Sequence, residues 1–216
     1  LVDISNARSL SQLRNDVRTI MRDGPGSSRQ RFVDSDYTHF LNQGQQEVIS
    51  RTKCLEYSTN ISLSINTTYY ALPSNFLSVD RVTLNNKEID GLSPDLLDMQ
   101  NDKWEGEKGA VLHYFVNFSS RGQIGFSPIP DVSTNTGVAK VDFFASANDM
   151  TGDSDIPFNS LSEFSPYQRA LAYYSAAVML NIDGRKSSSE AYMAIYESMV
   201  KVMQERCMEN SNTTPK

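Results

Sequence analysis

The hydrophobic residues of this 216-residue chain change their period twice, and that change constrains the fold more than any single motif does. Leu10, Leu13, Val17, Ile20 and Met21 recur at helical spacing, and the same repeat returns at Tyr37, Phe40, Leu41, Val48 and Ile49. The period then falls to two, because Ile61, Leu63 and Ile65 alternate with Ser62, Ser64 and Asn66 as they would along a half-buried strand. Beyond Pro157 it lengthens again, first at Leu171, Tyr174, Val178 and Ile182, then at Tyr192, Ile195, Met199, Val202 and Met203. This progression predicts an α+β fold: a helical bundle from N- and C-terminal helices, with a central, mostly antiparallel β insertion.

Local signals set the expected boundaries. Ser9 with Gln12 has the spacing of a capping box at the first helix, and Gly24-Pro25-Gly26 should end it. A second helix should run from about Ser35 to Arg51. Further strands are expected at Val79 to Leu84, Leu112 to Phe118, Gln123 to Ser127 and Val138 to Ala145, separated by turn-rich stretches at 119–122 and 131–137. Ser93 and Pro94 have the chemistry of an N-cap and first turn before Leu96, Leu97 and Met99. In the C-terminal part Ser165, Pro166 and Gln168 form a start signal, Gly184 a stop, and Ser187 with Glu190 a second capping box. The organisation expected is therefore a helical hairpin over 1–56, a β-rich insertion with a short helix over 57–156, a helical hairpin over 157–208 packing on the first, and a mobile tail over 209–216.

Composition narrows the function classes. Hydrophobic residues make up 39% and charged residues 21%, without an apolar run approaching the roughly 20 residues of a membrane helix, so no membrane partner is expected. No basic and apolar leader pattern is present, and the Asn-x-Ser/Thr sequons at Asn60, Asn66, Asn117 and Asn212 reflect an Asn-, Ser- and Thr-rich composition. Cys54 and Cys207 lie far apart in sequence, which fits reduced, partly buried thiols and synthesis in a reducing cytoplasm better than a disulfide framework or a zinc site. The net charge of −6 is uneven, with eight Lys/Arg against six Asp/Glu up to residue 55 and twelve against twenty beyond it. An acidic bulk opposes dedicated nucleic-acid binding, which needs a basic face, so contact with DNA should be transient.

Chemistry-bearing constellations are few. His39 falls on an expected helix and His113 on an expected strand, neither with a recognisable partner, and neither G-x-S-x-G nor H-E-x-x-H occurs. The segment Asp149-Met150-Thr151-Gly152-Asp153-Ser154-Asp155 spaces oxygen-bearing groups like the opening of a calcium loop, but Ser154 replaces the turn glycine and Ser160 the bidentate Glu, so a solvated turn is the better reading. No catalytic residue, metal or cofactor is expected. Arg14, Arg18 and Arg22 lie four residues apart and form a basic stripe that either solubilises an outer face or meets an acidic neighbouring subunit. Met203, Cys207 and Met208 come late in the chain, where less of the molecule follows to cover them, and are candidates for docking onto a partner.

The segment Tyr70-Ala71-Leu72-Pro73-Ser74-Asn75-Phe76-Leu77-Ser78-Val79-Asp80-Arg81-Val82 resembles one typical of bacteriophage head-to-tail connector (adaptor) proteins of the tail tubular protein A type. In order, the first two helices, Trp104, Tyr114, the stretch Gln123 to Asp131 and Ile156-Pro157 before an Ala- and Tyr-rich helix are similar to the layout of that family. The resemblance implies a virion structural protein: a head-to-tail adaptor ring of about twelve copies at the neck, bound to the portal protein on one side and a tail nozzle or tube protein on the other. It also implies that the ring forms part of the conduit for genome ejection. A net charge of −6 per subunit suits such a wall, since acidic groups facing DNA avoid trapping phosphate. The tail from Glu209 would order against a cleft of the portal. The alternatives are a neck stopper or tail-completion protein, a virion-associated hydrolase, and a general nucleic-acid or host-factor binding module.

Overall fold

The computed structural model describes residues 7–22, 31–116, 122–133 and 136–213. Helices α1 (Leu10–Met21) and α2 (Asp34–Thr52) lead into β1 (Glu56–Ser62), β2 (Tyr69–Ala71), β3 (Phe76–Leu84), β4 (Lys87–Glu88) and β5 (Asp90–Gly91). Helix α3 (Pro94–Gln100) separates these from β6 (His113–Val116), β7 (Gln123–Ser127) and β8 (Val138–Ala145), and α4 (Gln168–Ile182) and α5 (Lys186–Thr213) follow. The fold is α+β, as the switch of period implies. Two units are distinguishable, one formed by Leu1–Leu55 with Ser146–Lys216 and the other by Glu56–Ala145.

In the helical unit, α1 begins as expected: Ser9 accepts from the Gln12 N–H at 3.4 Å while the Ser9 N–H donates to the Gln12 side chain at 2.9 Å. Its buried side is Leu10, Leu13, Val17 and Met21. The stop differs from expectation, because the helix ends on Arg22 in the left-handed region at φ 59°, with its N–H on the Arg18 and Thr19 carbonyls. Gly24-Pro25-Gly26 lies outside the described residues. Helix α2 buries Tyr37, Leu41, Val48 and Ile49, and its central Gly44 has a packing reason: a Cβ there would stand 2.8 Å from Tyr174 Cδ1. A helix interior spends about 1 kcal/mol on glycine relative to alanine, and here the return is close approach of α2 to α4.

Helix α4 packs against α1, α2 and α5. Hence burial extends round most of it, taking in Ala170, Leu171, Ala172, Ser175, Ala176, Ala177, Met179 and Leu180, whereas Ile182, expected on the apolar stripe, is 61% exposed. The Ser165-Pro166-Gln168 start signal fails. Ser165 lies inside a 3-10 turn over Ser162–Tyr167, its hydroxyl has no hydrogen-bond partner among the described residues, and the buried Gln168 side chain instead accepts from the Arg8 N–H at 2.6 Å. Gly184 does terminate the α4 region, at φ 76°, with the Arg185 N–H reaching the Leu180 carbonyl at 2.9 Å. Helix α5 starts at Lys186, so Ser187 is a helical residue and not a cap. It runs to Thr213, so residues 209–213 of the expected tail are helical. Its buried line is Ser189, Tyr196, Val200 and Met203, with Tyr192, Met193, Met199 and Cys207 partly covered.

The second unit holds two four-stranded sheets, ordered β1-β8-β3-β4 and β2-β7-β6-β5. All pairings are antiparallel except β5 with β6. Strand β8 carries the alternation that the sequence displays, with Ala139, Val141, Phe143 and Ala145 inward. Strands β7 and β8 have the expected bounds, and β3 begins earlier than expected, at Phe76. Strand β6 starts at His113 and the expected continuation to Phe118 lies outside the described residues. Ile65 does not prolong β1: the strand stops at Ser62 and Ile65, in a turn, is 45% exposed. The short β2, β4 and β5 carried no recognisable period. The core here is Ile61, Leu63, Leu72, Val82, Val111, Ile124, Phe126 and the inward face of β8. A satellite forms where Trp104 meets the Phe115 ring edge-on at 4.9 Å and donates its indole N–H to Asp98 at 2.7 Å. Helix α3 opens as expected, with Ser93 accepting from the Leu96 N–H.

Candidate assembly surfaces

The basic residues of α1 are largely committed within the chain. Arg14, buried, pairs with Asp34 at 3.2 Å and with Asp153, and Arg18 pairs with the other oxygen of Asp34 while lying 5.0 Å over the Tyr37 ring. The acidic partner of this stripe is thus supplied by α2 and by the loop before α4. Only Arg22, at the exposed helix end, makes no ion pair among the described residues. The sequence had no way to bring Asp153 to Arg14, because a separation of 139 residues is closed by tertiary packing alone.

The segment Asp149 to Asp155 is a structural turn. The Asp155 carboxylate accepts from the Thr151 and Gly152 N–H groups, both at 2.8 Å, and these bonds hold its pKa below the usual carboxylate range. Its backbone then serves α1: the Leu10 and Ser11 N–H groups donate to the Asp155 and Asp153 carbonyls at 2.8 and 3.1 Å, filling two of the donors a helix start leaves open. No grouping of His, Cys, Asp and Glu able to hold a metal occurs among the described residues. His39 is exposed and rests edge-on against Phe40, and His113 faces Ser127 across the β6–β7 pair.

Of the late candidates, Met203 is 1% exposed and belongs to the core, Cys207 is half-buried and Met208 is 56% exposed. Helix α5 exposes two other apolar residues, Ile195 at 40% and Val202 at 54%. Being seven residues apart, they stand on one side of the helix about two turns from each other. The helical period of the sequence had put both on one apolar stripe with Tyr192, Met199 and Met203. Their spacing fits the apolar heptad, but the buried line through Tyr196, Val200 and Met203 is offset by one residue, which turns Ile195 and Val202 outward. On the buried side, Tyr173 stacks on Tyr192 with centroids 6.1 Å apart. Arg51 of α2 forks onto Glu197 at 2.9 and 2.6 Å, and this pairing holds Glu197 below its ordinary pKa.

In the β unit the ordered charge is Asp142 on β8. It pairs with Lys140 at 2.8 Å and Arg81 at 2.9 Å and accepts from the Ser58 hydroxyl at 2.6 Å. Burial works to raise its pKa, and these three partners outweigh it and hold the value at about 2. Strand β1, seven residues long, lies at an open edge of its sheet. Exposed apolar side chains are also present at Leu96, Met99 and Leu112.

Among the described residues these surfaces present paired charges consumed locally, apolar residues left outside on a long helix, and a strand at a sheet edge. The chain belongs to the SU10 adaptor protein family, whose match spans residues 8–215, in agreement with the resemblance to phage head-to-tail connectors. Its role is that of a structural adaptor. Among solved structures, a chain from the neck of an empty GTA particle computed with C6 symmetry is similar at 16% identity, over 82% of this chain and 78% of that one, with a TM-score of 0.26. No curated protein matches the chain. No helix among the described residues is long and apolar enough to cross a membrane.

Proposed function

We propose that the protein assembles as a closed ring of about twelve copies in the virion neck, joining the portal protein to the tail nozzle or tube and lining part of the path by which the genome leaves. The observation that carries this reading is the adaptor-family match along residues 8–215. The exposed surfaces support it physically. A ring of heterologous contacts needs two different sides on each subunit as well as two end faces, and the chain offers chemically unlike surfaces on its helical and β units.

Portal docking falls to the exposed apolar residues of α5: Ile195 and Val202 on one side, and Met208 with the half-buried Cys207 nearer its end. Met203 contributes by supporting the helix from within the core. Of the basic stripe, Arg14 and Arg18 hold Asp34 and Asp153 in place, and Arg22 is the member available to an acidic neighbour. The net charge of −6 keeps contact with passing DNA transient. Synthesis takes place in the host cytoplasm, before incorporation at the neck.

Electron microscopy of the purified protein mixed with isolated portal rings tests the reading. An added annulus on one face of the portal is expected, and portals that stay bare at saturating protein would rule the reading out. Replacing Ile195, Val202 and Met208 together by serine should lower retention on the portal about tenfold or more while leaving thermal stability unchanged. Removing 209–216 should weaken retention if the end of α5 enters a portal cleft, while contacts between copies should survive.

A further inference from the structure

Arg14, Asp34, Asp142 and Glu197 are paired within the chain, but two exposed clusters of charge are not. The first lies where three helices end or begin. Arg22 caps α1, Arg185 follows α4 and donates to the Met21 carbonyl at 3.1 Å, and Lys186 opens α5. All three are exposed, and none makes an ion pair among the described residues. Ile182, the last residue of α4, is 61% exposed. Asp183 is paired with Arg31, and Glu190, a turn along α5, leaves the cluster net positive. Cations suit the C-terminal ends of α1 and α4, so the local helix field accounts for Arg22 and Arg185. It does not account for Lys186, which stands at the positive end of the α5 dipole with no acidic residue in that first turn.

The second cluster surrounds α3. From Asp95 to Glu107 the chain carries five Asp/Glu against one Lys, and none of those carboxylates makes an ion pair among the described residues. Leu96 and Met99, 47% and 83% exposed, are three residues apart and share one side of the helix. Asp98 and Asp102 lie at and just past its C-terminal end, where the helix field disfavours anions and no basic residue in the last turn compensates. Each cluster therefore sets exposed apolar side chains among like charges, with opposite signs in the two. We propose that in the ring described above, on which this inference rests, the Arg22, Arg185 and Lys186 cluster of one copy docks on the α3 cluster of the next copy. Ile182 packs against Leu96 and Met99, while Arg22 and Lys186 meet Asp102 and Glu105. The two surfaces are chemically unlike, as a heterologous contact requires. Opposite charges steer the encounter and apolar burial holds it, whereas two acidic or two basic clusters repel and so disfavour pairing of identical faces.

The test uses the full-length chain and isolated portal rings, with the bound copies counted by electron microscopy and by quantitative gel. Arg22→Glu with Lys186→Glu makes both clusters acidic, and Asp102→Lys with Glu105→Lys makes both basic. Each pair should lower the copies retained about tenfold. Mixing the two variants in equal amounts, or placing all four substitutions in one chain, restores opposite signs at the contacts and should restore retention. Ile182→Ser with Met99→Ser, both at exposed positions, should also weaken retention while leaving thermal unfolding unchanged. Retention untouched by either reversal, or a loss that the mixture does not rescue although the variants melt like the parent, overturns the α3 contact. Where a reversal lowers the melting temperature, the Ile182→Ser and Met99→Ser variant decides, and unchanged retention overturns the contact. A parent chain that leaves portals bare overturns the ring reading instead, so the two failures are told apart.

Discussion

The helical and β units of this protein solve the same packing problem differently. The helical unit is drawn from both ends of the sequence, and its α4 is surrounded by α1, α2 and α5, so nearly every side of that helix is apolar or small. The β unit is one continuous stretch, Glu56–Ala145, whose two sheets have short outer strands apart from β1. Charge is handled differently as well. In the helical unit Arg14 ties Asp34 of α2 and Asp153 of a distant loop to α1, whereas in the β unit Asp142 gathers Lys140, Arg81 and Ser58 from three adjoining strands. The comparison teaches that the first unit depends on long-range closure and the second on cross-strand neighbours.

The largest expected effect separates the two. Leu171→Ala, at a fully buried position of α4, should cost about 3–4 kcal/mol, and Phe126→Ala, fully buried in the β unit, about 3–5 kcal/mol. The lone Trp104 reports on the β unit and far-ultraviolet circular dichroism mainly on the helices, so urea titrations followed by both signals show whether each substitution shifts its own unit. Shifts of equal size in both signals for both variants would break the comparison and make the molecule one cooperative block.

Asp142 sharpens it through pH. Its folded pKa of about 2 lies below the ordinary value, so its stabilisation is fully present above about pH 4 and is lost as pH falls toward 2. Allowing for solvent screening, Asp142→Asn should cost about 1–2 kcal/mol at neutral pH and flatten the acid limb of the β-unit stability profile. Equal acid sensitivity of variant and parent would count against it. Gly44→Ala probes the close approach of α2 to α4: the intrinsic helix gain of about 1 kcal/mol should be outweighed by the clash with Tyr174, for a net loss of about 1 kcal/mol in the helical signal. The smallest effect is favourable. Lys53 caps α2 in the left-handed region at φ 51°, and Lys53→Gly should gain about 0.5 kcal/mol in thermal or urea unfolding.

Legibility followed the range of the interactions involved. The Ser9–Gln12 cap of α1, the Ser93 cap of α3 and the alternation of β8 could be read directly, because each is decided within a few residues. The same rules misplaced the start of α4, since Ser165 and Gln168 have the right spacing but Gln168 is taken by the Arg8 backbone. They also grouped Ile195 and Val202 with Tyr192, Met199 and Met203 on one apolar stripe, since a one-residue offset of a heptad cannot be seen without the helix it packs on. The short β2 and β5 gave no periodic signal and form only through β7 and β6.

By itself the sequence determined the alternation of helix, strand and helix, the Ser9 and Ser93 caps, the net charge of −6 and the family resemblance, because propensity, periodicity and charge are properties of neighbouring residues. Tertiary structure alone decided that Arg14 spends its charge on Asp153 and that α5 turns Ile195 and Val202 outward. Those outcomes depend on which distant segments share a core, and that selection belongs to the packed whole.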